Sequence, residues 1–266
     1  MHMLPWFKRN VIPASGARLV ESESPTVATI EKVQRLVGRH ESPSRRLIER
    51  VGGFTETRVI VVACQKGGAG KTTIAAHLAV QAGRAGQGPA VLVDTDPQGS
   101  LSAWRGARKD DAPALATANL ADLAANPAEL WSGKAAFAII DTPPALTAAI
   151  EQVIAIADLV VIPARPSPHD LRAIGATVDM VRRAGKPFFF VMNAAASRAN
   201  ITAQAVAALS EHGPVAPVIL NQRTEYAVSM IDGRTVMETA PNGRSAQEIA
   251  ALWEYLYPRI SMRAAA

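Results

Sequence analysis

From residue 58 onward the chain alternates between two hydrophobic patterns. Short apolar, β-branched or aromatic runs stand at 58–64 (RVIVVAC), 90–94 (AVLVD), 136–141 (AFAIID), 159–163 (LVVIP), 187–193 (PFFFVMN) and 215–220 (VAPVIL). Each predicts a buried strand. The stretches between them, 72–83, 120–130, 147–157, 168–184 and 201–212, together with the closing stretch 245–257, predict helices. In the first of these Ile74, Leu78 and Ala82 fall on one stripe, the spacing of an amphipathic helix. Strands apolar on both faces and alternating with helices predict an α/β fold: a mostly parallel sheet with helices on both faces. Ligands of such sheets bind beyond the carboxyl ends of the strands.

Residues 1–56 do not follow this pattern and read as a short N-terminal extension to a body spanning 57–266. Ser24-Pro25 and Ser42-Pro43 each open a short helical stretch, and Gly52-Gly53 forms a hinge before the body. Two short helices invite a helix-turn-helix reading, but the second is very short and no third supports it. Charge follows the same division. The net charge is +5, and residues 1–58 carry ten Lys/Arg against six Glu, leaving the remainder nearly neutral. Such an arm suits nucleic acid or anionic lipid, and it equally suits a solvated tail. Cys64 is the single cysteine, which excludes an intrachain disulfide framework and suits a reducing cytoplasm. No apolar stretch reaches the ~18 residues of a membrane span, and no secretory leader is read at the N-terminus.

The chemistry lies at the strand ends. Residues 66–73 (KGGAGKTT) stand between the first strand and the first helix. Gly67, Gly68 and Gly70 let the backbone wrap phosphate oxygens, and the helix N-terminus adds positive potential. Lys71 can bridge β- and γ-phosphates, and the Thr72 hydroxyl can ligate Mg²⁺. The stretch Lys66, Gly67, Gly68, Ala69, Gly70, Lys71, Thr72 and Thr73 is therefore the candidate nucleotide site. It departs from the common phosphate-loop pattern G-x-x-x-x-G-K-[ST], whose first glycine is missing here at Cys64-Gln65. Two later strands end in acid: Asp94 within VDTDPQGS and Asp141 within IIDTPP. Asp94 and Asp141 are candidates for holding Mg²⁺ or its water, and Asp96 for orienting the attacking water. An isolated strand-end Asp is ordinarily a turn or cap residue; two after a phosphate loop, in chain order, favour the functional reading.

Together KGGAGKTT, VDTDPQGS and IIDTPP resemble the ParA/MinD superfamily of deviant Walker ATPases, a branch of the P-loop NTPases. The resemblance extends to 163–178 (PARPSPHDLRAIGATV) and 221–249 (NQRTEYAVSMIDGRTVMETAPNGRSAQEI), and covers about 58–257. It implies ATP and Mg²⁺ as cofactors and an ATP-dependent sandwich homodimer. In that dimer Lys66, the signature lysine, would reach the partner's nucleotide and act with Lys71 and Asp96 in catalysis; by spacing alone Lys66 is equally a solvated loop lysine. The resemblance places Asn193 at the base-recognition position, against a turn cap as the plain reading. It also makes Arg223, Arg234 and Arg244 candidates for nonspecific DNA contact, against ordinary surface arginines. It implies a cytoplasmic, nucleoid-associated partition or positioning ATPase stimulated by a ParB-like, centromere-binding or cargo adaptor protein. The alternative is a MinD-like membrane-associated positioning ATPase. Against it, 245–257 reads as a packed helix and the tail after it is short and weakly amphipathic, although Trp6-Phe7-Lys8-Arg9 could anchor at an interface. Relatives that bridge an iron–sulfur cluster need more cysteines than Cys64.

Overall fold

The computed structural model describes residues 57–116, 118, 120–125, 131, 135–196 and 200–261. The two short helices and the aromatic–basic segment expected within residues 1–56 lie outside the described residues, as do the tail residues 262–266.

Seven strands form one sheet: β1 (Arg58–Val62), β2 (Ala90–Asp94), β3 (Ala114–Ala116), β4 (Phe137–Asp141), β5 (Leu159–Ala164), β6 (Phe188–Ala195) and β7 (Val215–Asn221). Their order is β3-β2-β4-β1-β5-β6-β7, and every pairing is parallel. β1 shows why the strands are apolar throughout. Ile60 and Val62 pack to one face, Val59 and Val61 to the other, and four of its five residues are buried. A strand covered on both sides cannot alternate apolar with polar.

One face is covered by α1 (Lys71–Arg84) and the closing helix α9 (Arg244–Ser261). Ile74, Leu78 and Ala82 are all buried, as the spacing predicts. Ala246, Ile249, Leu252, Trp253, Leu256 and Ile260 make the inward stripe of α9, which runs past Tyr257 to Ser261. The other face carries α4 (Ala148–Ala155), α5 (Pro168–Arg183) and α6 (Asn200–Ser210), through residues such as Ile150, Val153, Ile174, Val178 and Leu209. Ser167 caps α5 and Thr147 caps α4, each accepting a backbone N–H with its side chain. α3 (Leu120–Ala125) occupies the start of the stretch expected to be helical over 120–130.

Four elements go beyond the sequence expectation: α2 (Ser100–Ala107), β3, α7 (Thr224–Met230) and α8 (Val236–Thr239). β2 and β7 each lie next to or at a margin of the sheet: β3 pairs only with β2, and β7, which contains Pro217, pairs with β6 through an interrupted register. Because β2, β4 and β1 are adjacent and parallel, the loops after all three emerge side by side at one end. The phosphate loop, the 95–99 turn and the 142–147 segment meet there. No described helix is long and apolar enough to cross a membrane.

Candidate nucleotide site

The loop between β1 and α1 turns on two left-handed glycines, Gly68 at φ 74° and Gly70 at φ 96°. Gly70 is also the residue preceding α1, so the helix starts directly at Lys71. Gly67, Gly68, Gly70, Lys71, Thr72 and Thr73 line one side of a cleft of about 640 Å³. Asp96 and Gln98 from the turn after β2, Ala103 and Trp104 from α2, and Met230 and Ile231 line the rest. Lys71 is buried, and its Nζ donates to the Lys66 carbonyl at 3.4 Å. The Lys66 side chain is exposed at the lip of the loop.

Thr72 and Asp141 form the polar centre. Thr72 Oγ1 donates to Asp141 Oδ2 at 2.6 Å. Asp141 is 1% exposed, and its other oxygen, Oδ1, is buried without a hydrogen-bond partner. Burial pushes its carboxyl up to about 7; Asp94 and Asp96 push in the same direction, while the Thr72 hydroxyl and Lys71 oppose it. A buried carboxylate oxygen left unpaired is costly, and a cation or a cation-bound water beside Thr72 would satisfy it. The donor set, one hydroxyl and one carboxylate, fits Mg²⁺ held largely by phosphate oxygens and water. The described residues contain no cluster of three or more His, Cys, Asp or Glu fit to hold a metal by itself.

Asp94 is in register with Asp141 on the neighbouring strand. Its oxygens carry a local load that the sequence did not reveal: Oδ2 accepts from Ser102 N at 2.7 Å and Ser102 Oγ at 2.8 Å, and Oδ1 from Asp96 N at 3.2 Å. Asp94 thus ties β2 to α2 and shapes the turn that presents Asp96 to the cleft. Asp96 Oδ1 in turn accepts from Gln98 N at 3.0 Å.

Asn193 packs directly against the phosphate loop and is not among the residues that line the cleft. Its Nδ2 donates to the Ala69 carbonyl at 2.7 Å, and a methyl group on Gly70 would fall 2.1 Å from that nitrogen. β6 reaches this point through an irregular register between Met192 and Ala195, with Ala194 at φ 49°. In this arrangement Asn193 is a buttress of the phosphate loop.

The three candidate arginines are not brought together by a shared contact. Arg223 Nε and NH2 both donate to Glu248 Oε1, at 3.2 and 2.8 Å, in a cluster that also takes in Asn221 and Tyr226. Arg234 donates to both oxygens of Asp232. Arg244 is exposed at the start of α9.

Sequence reasoning missed the residues that frame the cleft. Arg108, with 3% of its side chain exposed, makes a two-pronged bond to Glu238 at 2.6 and 2.9 Å and also donates to the Gly233 carbonyl at 2.8 Å. Glu238 Oε2 reaches back to Thr235 N and Oγ1, both at 2.8 Å. Burial acts to raise the Glu238 carboxyl, but Arg108 and Thr235 outweigh it and hold it below the usual range. Trp104 Nε1 donates to the Arg234 carbonyl at 3.0 Å. His77, fully buried in α1, donates from Nδ1 to the Thr73 carbonyl at 2.7 Å and accepts at Nε2 from Val236 N at 3.3 Å. The Thr-x-x-Glu of 235–238 is a helix-start signature legible in the sequence. His77 carried no comparable signal.

The model of the CobQ/CobB/MinD/ParA nucleotide binding domain matches residues 60–236. The Maintenance of carboxysome distribution protein A of Halothiobacillus neapolitanus is 33% identical over 200 residues, 71% of this chain and 91% of that protein. Protein ParA of Rhizobium radiobacter is 29% identical over 182 residues, 64% of this chain and 80% of that protein. The cell division ATPase MinD of Pyrococcus furiosus superposes with a TM-score of 0.65 at 19% identity, covering 76% of this chain and 99% of that one. The ATP complex of a Cyanothece McdA variant superposes with a TM-score of 0.64 at 19% identity, covering 77% and 98%. At these identities the two structures speak for the fold. The family match over most of the body and the extended similarity to the first of these relatives speak for descent: the chain belongs to the CobQ/CobB/MinD/ParA nucleotide-binding family, as a member of its ParA/MinD superfamily of ATPases.

Proposed function

We propose that this protein is a positioning ATPase whose ATP-bound form is a sandwich homodimer and whose hydrolysis resets it to monomer. The observation that carries the reading is the Thr72–Asp141 pair beneath the phosphate loop, with the unpartnered Asp141 Oδ1 beside it and Lys66 exposed at the lip. The loop amides and Lys71 hold the triphosphate, and Thr72 with Asp141 holds Mg²⁺, which neutralises charge on the transferring phosphoryl group. Asp96, presented to the cleft by the Asp94-braced turn, orients the attacking water. Lys66 enters the partner's site and supplies a cation there, which makes association depend on the triphosphate. Asn193 sets the loop that holds the nucleotide and contacts the adenine edge.

The relatives support a reading of the class of cargo and adaptor. Two are proteins of carboxysome distribution and a third is a ParA. A protein assembly or a DNA element tethered through a ParB-like or other adaptor fits that set, with nonspecific nucleoid DNA as the track.

Light scattering of the purified full chain with Mg-ATP tests the switch. Wild type is expected to dimerise with ATP and remain monomeric with ADP. Lys71→Ala is expected to lose nucleotide binding and dimer alike. Lys66→Ala keeps nucleotide binding and loses the dimer, with turnover falling at least about tenfold. ATP-dependent dimers of unchanged stability and unchanged turnover in both variants would sink the mechanism.

A further inference from the structure

His77 makes a contact that nothing in the phosphate chemistry requires. It lies one helical turn beyond the loop, at the buried face of α1. Its two ring nitrogens bridge separate parts of the chain: Nδ1 to the carbonyl of Thr73, which lines the cleft, and Nε2 to the amide of Val236, 159 residues further on. Val236 is the first residue of α8, so its amide has no acceptor within the helix. His77 supplies that acceptor. The bonding fixes one tautomer, with the proton on Nδ1 and the lone pair on Nε2.

The far side of the same segment is held as firmly. Glu238 closes on Thr235 N and Oγ1 and receives both prongs of Arg108, which follows α2. Gly233, at φ 77°, lies against the Arg108 backbone so closely that a methyl group there would fall 2.3 Å from the Arg108 amide nitrogen. Trp104 of α2 bonds the Arg234 carbonyl. The 231–239 segment is thus bolted to α1 through His77 and to α2 through Arg108 and Trp104. At its start, Met230 and Ile231 line the nucleotide cleft with apolar surface, in the same cleft as Lys71 and Thr73. Ile231 is 78% exposed, so this lining is also a surface feature.

We propose that His77 is a positioning residue that couples the helix behind the phosphate loop to the 231–239 segment, so that nucleotide on the loop tightens the apolar lining of the cleft. The inference rests on the nucleotide reading above and adds the path by which occupancy reaches the outer surface at Ile231.

Amide hydrogen exchange of the full chain, read by NMR with and without Mg-ATP, tests the coupling. In nucleotide-free wild type the Val236 amide is expected to be protected, and His77 to show the Nδ1–H tautomer in its imidazole nitrogen shifts. Mg-ATP is expected to slow Val236 exchange a further tenfold or so. In His77→Ala the Val236 amide exchanges about tenfold faster, the loss of one buried hydrogen bond. Mg-ATP still binds that variant but no longer slows Val236. His77→Gln, which retains a donor and an acceptor, restores part of the response. A nucleotide-induced slowing that survives in His77→Ala overturns the coupling, as does a wild type that binds Mg-ATP with no change at Val236. The tautomer and the nucleotide-free protection need no variant, so their absence overturns the tie even if His77→Ala fails to fold. A wild type with a protected Val236 amide that does not bind Mg-ATP refutes the nucleotide reading and with it the coupling, while leaving the His77–Val236 bond standing.

Discussion

At Gly70 the backbone takes φ 96° and passes so near Asn193 that a side chain has no room. Gly70→Ala therefore combines left-handed strain with a clash, and is expected to lower unfolding free energy by roughly 2–3 kcal/mol in urea titration. Adding Asn193→Ala should recover the clash but not the strain. Full recovery would show that the backbone angle costs nothing. His77 gives a pH signature at the same scale. Burial lowers its pKa from 6.5 to about 4, with the Thr73 carbonyl and Glu238 opposing. Tyr226, edge-on to the ring, has its own pKa raised by burial and stays neutral. The folded state favours neutral His77, so its contribution is complete above pH 6.5 and lost as pH falls from 6.5 towards 4, up to about 3 kcal/mol. His77→Gln should flatten the stability profile across that window, as read from melting temperature against pH. An unchanged slope would show that other groups set it.

The elements that close the cleft are short, and their stability is borrowed. α8 has four residues, and its hold comes from Arg108 on one side and His77 on the other. Arg108→Ala leaves Glu238 without its counter-charge in a mostly buried position, and is expected to cost about 3 kcal/mol. Arg108→Lys should recover little, since one ammonium cannot match both carboxylate oxygens and the Gly233 carbonyl. A lysine variant as stable as wild type, by chemical denaturation, would show that charge alone suffices. These are also the elements that the hydrophobic pattern left invisible. Five of the six expected strands, β7 apart, are legible because burial on both faces makes them continuous apolar runs, and α1 and α9 because their stripes span several turns. α2 buries only Leu101 and Trp104, and β3 spans three residues, so neither offers enough positions to establish a period. The site divides in the same way. Its phosphate loop and strand-end acids are contiguous in sequence and could be read. The Arg108–Glu238 and His77–Val236 pairs join positions 130 and 159 apart, and only the fold brings them together.

Across the whole molecule, charge and edges set what it can associate with. Most of the net positive charge lies in residues 1–58, and two of the three candidate DNA arginines already serve carboxylates, Glu248 and Asp232. Arg244 is therefore the candidate expected to contribute a phosphate contact most directly. Arg244→Ala should reduce the slope of log affinity against log salt by about 1 in a titration of duplex DNA with Mg-ATP. Arg223→Ala should show itself first as lost stability of the Asn221–Tyr226–Glu248 cluster. A salt slope that falls with Arg223→Ala and not with Arg244→Ala would reverse that assignment. The sheet margins carry a further consequence. On one side the last strand is only three residues long, and on the other it contains Pro217 and pairs irregularly with its neighbour. Neither margin offers a long regular row of free amides and carbonyls for another chain to extend. Among the described residues the sheet margins thus disfavour strand addition as a route to self-assembly, and leave loops, helices and side chains as the surfaces through which two copies can meet and part.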